Sequence, residues 1–115
     1  MKLYGIPNCN TVKKAQDWLK SNQIEYEFHD FKKKGITEEK LNEWFDVFGW
    51  EKVINKNGLT FKKLTKDEQA EINSPDQVIS YLLQNTSAIK RPIVEENGKP
   101  ILLSFNEEQY DAVLK

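Results

Sequence analysis

The chain has 115 residues, 17 basic and 18 acidic, for a net charge of −1. That length suits one domain, burying on the order of two thirds of the surface its unfolded form exposes, and that charge offers no bulk attraction to nucleic acid or anionic membrane. No apolar run exceeds three residues, so no transmembrane span is expected, and a single cysteine and a single histidine make neither an internal disulfide nor a four-ligand zinc site.

Residues 1–6 are short and largely apolar, bounded by Gly5 and Pro7, and read as a first strand with no signal-peptide core. A cytoplasmic protein with no bound cofactor or metal is therefore expected. From Thr11 to Ser21 the apolar residues Val12, Ala15, Trp18 and Leu19 fall on one face of a helix. Residues 24–31 alternate apolar and polar and read as a second strand. Strand, helix, strand in about 30 residues implies a parallel βαβ unit with a right-handed crossover.

The middle reads as helical. Thr37 caps a helix whose stripe is Leu41, Trp44, Phe45 and Phe48, and residues 55–58 form a turn. Ser74, Pro75 and Gln77 open another helix as N-cap, N1 and N3 of a capping box, with Val78, Ile79, Leu82 and Leu83 buried. Two extended segments, 92–96 and 100–105, flank Asn97-Gly98, a strong hairpin signal. Asn106 to Gln109 then starts a last helix with Tyr110, Val113 and Leu114 as its apolar side. The order βαβ, helices, ββα predicts an α/β fold: a mixed four-stranded sheet on the thioredoxin-like plan, one domain over 1–115 with a helical insertion at about 37–86.

The chemistry concentrates at Cys9, between the first strand and the first helix. A helix N-terminus offers unpaired N–H groups and the positive end of the helix dipole, both favouring the nucleophilic thiolate. Lys13 and Lys14 add positive charge, and Asn8, Asn10 and Thr11 add polar contacts. The competing reading, a small buried hydrophobe, fits those polar neighbours less well. Arg91-Pro92 precedes the hairpin. On this plan the corner lies opposite the first helix's N-terminus, where a cis Pro92 would bring Arg91 beside the cysteine and its guanidinium could meet an oxyanion, a carboxylate or the thiolate. A solvated arginine before an edge-strand proline is the alternative. His29 reads as a surface or partly buried structural residue, and Lys32-Lys33-Lys34 as a solvated loop.

The segment 3–15, centred on Pro7-Asn8-Cys9-Asn10-Thr11, resembles the active-site segment of the arsenate reductase (ArsC) family, closest to its YffB-like branch and related to Spx-type regulators. Segments 28–37, 55–64 and 90–94 follow the family pattern in order, so the likeness spans essentially the whole chain. The resemblance implies a thioredoxin-like fold with a helical insertion, Cys9 as nucleophile, and Asn8, Asn10, Thr11, Lys13, Arg91 and Pro92 as substrate- or glutathione-binding residues. It implies a glutathione-dependent monothiol reductase with glutathione or a small thiol or disulfide as co-substrate, and a monomer is expected. Glutaredoxin, or RNA polymerase for an Spx-like adaptor, would be the protein partner.

The same resemblance marks departures. Arsenate-reducing members use three arginines. Arg91 matches one, but Asn55 (beside Lys56) and Ser104 occupy the other two positions, and Arg91 is the only arginine present. Gly5 replaces the histidine that precedes their cysteine, and Val12 replaces the second cysteine of the Spx-type Cys-x-x-Cys switch. Little or no arsenate reductase activity is expected.

Overall fold

A computed structural model describes residues 1–115. Strand β1 (Lys2–Gly5) leads to helix α1 (Asn10–Ser21), strand β2 (Glu27–Asp30) and a single helical turn, α2 (Phe31–Lys34). Helices α3 (Glu38–Phe48), α4 (Trp50–Val53), α5 (Leu59–Lys62), α6 (Lys66–Glu71) and α7 (Pro75–Gln84) follow, then a 3-10 turn at Thr86–Ala88. Strands β3 (Ile93–Glu96) and β4 (Lys99–Leu103) and helix α8 (Glu107–Leu114) complete the chain. Two compact units result: Met1–Lys34 with Arg91–Lys115, and Gly35–Lys90.

The first unit holds the expected mixed four-stranded sheet, in the order β2-β1-β3-β4. β1 pairs parallel with β2 and antiparallel with β3, which pairs antiparallel with β4. Register decides what meets. Gly5 stands opposite Asp30, so β1 and β2 end at one edge of the sheet. Tyr4 stands opposite Ile93, so β3 begins at that same edge. The chain thus delivers Cys9, α2 and Arg91 to one edge.

Leu3, Val94 and Leu102 on one sheet face pack with Val12, Ala15, Trp18 and Leu19 of α1 and Tyr110 of α8. Each such aliphatic side chain contributes roughly 1.5–3 kcal/mol when fully buried. The Tyr110 hydroxyl donates to the Ser104 carbonyl at 2.7 Å, tying α8 to the end of β4. On the opposite face Tyr4, Ile93 and Glu95 are also buried, and the Tyr4 hydroxyl donates to Glu95 Oε1 at 3.3 Å. The half-buried His29 ring lies 4.7 Å from that of Tyr4, a structural contact. Asn97 (φ 53°) and Gly98 (φ 78°) make the hairpin turn with both central residues left-handed, the geometry that Asn-Gly favours.

Several local expectations change. The second strand is four residues, not eight: the Asp30 carboxylate accepts from the Lys32 and Lys33 N–H groups at 2.9 and 3.3 Å and bends the chain into α2. Lys32, Lys33 and Lys34 therefore lie on an exposed helical turn rather than a loop, anchored by fully buried Phe31. Leu83 and Val113 are 40% and 50% exposed, because Leu82, and Tyr110 with Leu114, already occupy the covered stripes of their helices.

Within the second unit, Thr37 caps α3 through the Lys40 N–H, while Leu41 and Trp44 are buried and Phe45 and Phe48 half-buried. Ser74 accepts from Gln77 N–H as expected, but the Gln77 side chain accepts from Asn73 N–H rather than closing a box on Ser74. The full capping box lies instead at α6. There Thr65 Oγ1 accepts from Glu68 N–H, and Glu68 Oε1 accepts from Thr65 N–H.

Candidate active site

Gly5 ends β1, and its lack of a side chain lets α1 dock. A Cβ there would stand 2.8 Å from Val12 Cγ2, inside any tolerable contact. Pro7 and exposed Asn8 then carry the chain to Cys9, which is the N-cap of α1 in extended conformation (φ −125°, ψ 123°). The Cys9 carbonyl accepts the first helical hydrogen bond, from Lys13 N–H at 2.9 Å. Its thiol is free and half-buried.

Opposing influences act on that thiol. Burial pushes it up. Hydrogen bonding from the Val12 N–H, hydrogen bonding and positive charge from the Arg91 guanidinium, and the Thr11 N–H pull it down, and the downward influences win. The neutral thiol closes no capping bond of standard length to the helix. The Thr11 and Val12 N–H groups, at N2 and N3, are the backbone donors that favour the thiolate.

The structure thus brings Cys9, Thr11 and Arg91 together, with Pro92 next to Arg91. The Arg91–Pro92 peptide is cis, Pro92 is buried and Arg91 half-buried. Lys13 and Lys14 are exposed and are not among the groups that lower the Cys9 thiol. Long exposed side chains are screened by water, whereas the half-buried Arg91 guanidinium acts on the thiol through hydrogen bonding and charge. Asn8 and Asn10 are exposed beside Cys9. No cluster of three or more metal-ligating side chains occurs in the chain. A sulfur facing a guanidinium and helix N–H groups suits an anion, not a cation.

Three features escaped the sequence. Glu95, which looks like the polar end of a strand, is 3% exposed because both faces of the central sheet are covered. Ser104 takes a left-handed conformation (φ 65°), and its N–H donates to the Pro92 carbonyl at 2.7 Å. It therefore flanks the Arg91–Pro92 corner. The close approach of Gly5 to Val12 is the third, and a glycine ending a strand was its available signal.

The sequence profile of the ArsC family matches residues 4–113. The chain belongs to the ArsC family. An uncharacterized protein of Haemophilus influenzae is 42% identical over 112 residues, covering 96% of this chain and 95% of that one. The solved structure of the protein YFFB (PA3664) superposes with a TM-score of 0.91 at 39% identity, covering 99% of this chain and 98% of its own. The global transcriptional regulator Spx of Streptococcus pyogenes is 27% identical, covering 97% of this chain and 83% of the regulator.

Within the ArsC family this chain has its own local chemistry. A histidine at position 5 would strike Val12. Position 12, where the Spx-type switch has its second cysteine, is a fully buried valine. The Asn55 side-chain Oδ1 accepts from Asn57 N–H at 3.2 Å, shaping its own turn.

Proposed function

We propose that this ArsC-family protein is a glutathione-dependent monothiol reductase with Cys9 as nucleophile. What supports the reading is the placement of Cys9 at the N-cap of α1, on the edge to which the β1–β3 register and the cis Arg91–Pro92 corner bring Arg91, whose guanidinium with two helix N–H groups pulls the thiol down. The thiolate attacks one sulfur of a disulfide substrate. A Cys9–substrate S–S bond forms as the original S–S bond breaks, and the second thiolate leaves. Glutathione thiolate then attacks the mixed disulfide and releases Cys9 as thiolate. With no second cysteine in the chain, the resolving thiol must come from outside. Arg91 stabilises the thiolate and meets the glutathione carboxylate. Asn8, Asn10, Thr11, Lys13 and Pro92 surround the adduct. The protein works as a monomer in the cytoplasm, where reduced glutathione is supplied.

Incubation with oxidised glutathione, followed by intact-protein mass measurement, tests this. One glutathionyl group is expected, removed by reduced glutathione and absent from Cys9→Ser. An unmodified folded protein would contradict it.

Arsenate reduction is expected to be absent or very weak. One guanidinium, with Asn55 and Ser104 in place of two others, gives a tetrahedral oxyanion little charge-assisted hydrogen bonding. Saturable turnover of micromolar arsenate with glutathione and glutaredoxin would overturn this expectation.

The similarity to Spx regulators along nearly the whole chain favours a second reading, an adaptor that binds RNA polymerase. Cys9→Ser separates the two: an adaptor keeps its partner, whereas a reductase loses turnover.

A further inference from the structure

We propose that the sheet edge carrying Cys9 is a lysine-rimmed docking surface for anionic disulfides, with Lys32, Lys33 and Lys34 as the selecting charges. This deepens the reductase reading and rests on Cys9 acting as a thiolate nucleophile.

Sheet register makes the juxtaposition. β1 and β2 run parallel and end together at Gly5 and Asp30. One continues into Cys9 and α1, the other into α2. The Asp30 cap and buried Phe31 fix the α2 turn, and its three remaining residues are all exposed lysines. Lys13 and Lys14, exposed on the first turns of α1, add to the same edge, and Arg91 joins it from the start of β3.

Three acidic groups bear on this edge. Asp30 is engaged by the backbone of α2. Glu107 and Glu108 follow β4, the strand farthest from β2 in the sheet. Across the edge the charge therefore runs from positive, beside β2 and β1, to negative beyond β4, with Cys9 leaving β1 on the positive side. The whole chain carries −1, so an anion gains nothing from its overall charge. Attraction is confined to this rim, within a Debye length of about 8 Å at physiological ionic strength. Local fields of this kind raise association rates and suppress wrongly charged partners.

In the selected step the Cys9 thiolate forms an S–S bond to one sulfur of the anionic disulfide, and the other sulfur departs as an anionic thiolate. The rim holds the carboxylates of both the incoming and the departing group.

The test measures second-order exchange rates of folded protein with three disulfides: dianionic dithiobis(nitrobenzoate), neutral dithiodipyridine and dicationic cystamine. These are compared with the triple variant Lys32→Glu, Lys33→Glu, Lys34→Glu, at low and near-physiological salt. The variant should lose about tenfold in rate with the dianion at low salt and gain with the dication. Its rate with the neutral probe should be unchanged, and salt should shrink the difference. The corresponding triple glutamine variant should fall between, and it serves if charge reversal disturbs folding. A dianion-to-neutral rate ratio equal in the original protein and both variants would overturn the docking surface while leaving Cys9 as nucleophile. A neutral-probe rate no higher in the folded protein than in urea would instead overturn the nucleophile reading, and the docking inference with it.

Discussion

At Cys9 one arginine outweighs two lysines. The sequence places Lys13 and Lys14 closest to the sulfur, yet Arg91, remote in the chain, is the side chain that lowers its pKa. Proximity along a helix counts the wrong distance here: the first-turn lysines extend into water, while the β1–β3 register carries Arg91 to the sulfur. Arg91→Ala should raise the Cys9 pKa without unfolding the chain, as read from thiolate absorbance in a pH titration. An unchanged pKa would leave the helix N–H groups as the cause. Gly5 gives a second residue-scale test. Gly5→Ala should cost about 1–3 kcal/mol, because the added Cβ meets the stiff side chain of Val12. Adding Val12→Ala should cost less than it does in the original chain, a non-additivity measurable by urea denaturation.

At the scale of elements, the strongest local signals were legible and the compromises between neighbours were not. Asn97-Gly98 specified the hairpin, and Thr37, Ser74 and Asn106 capped the helices assigned to them. The Thr65-to-Glu68 box has the same Ser/Thr-x-x-Glu spacing and is equally visible as a pattern. β2 came out short because Asp30 satisfies the following backbone N–H groups itself, which alternation of apolar and polar residues does not reveal. α8 depends on Tyr110, whose burial pushes its phenol well above the ordinary range. A folded pKa above the unfolded one contributes stability below the unfolded value, and that contribution is lost as pH rises through the folded value. Stability should therefore fall at strongly alkaline pH. Tyr110→Phe should remove part of that fall and, at neutral pH, cost about 1 kcal/mol for the lost bond to Ser104. Denaturation midpoints of both proteins from pH 7 upward provide the check.

For the whole molecule, the mixed sheet and its helical insertion were readable because the strands and helices kept their order, even where β2 proved shorter than its alternating pattern. What the sequence could not show is that the Arg91 guanidinium acts on the Cys9 thiol, a pairing that exists only after folding. That dependence on folding also sets the linkage. A thiol whose pKa is depressed in the folded state stabilises the fold above its unfolded pKa, and the benefit is lost as pH falls through the folded value. The direct measurement is the pH dependence of iodoacetamide alkylation in the folded protein and in urea, unambiguous because Cys9 is the only cysteine. The folded midpoint should lie below the unfolded one, near the ordinary thiol value of about 8.5 in the latter case. A folded midpoint equal to or above the unfolded one would contradict Cys9 as an activated nucleophile.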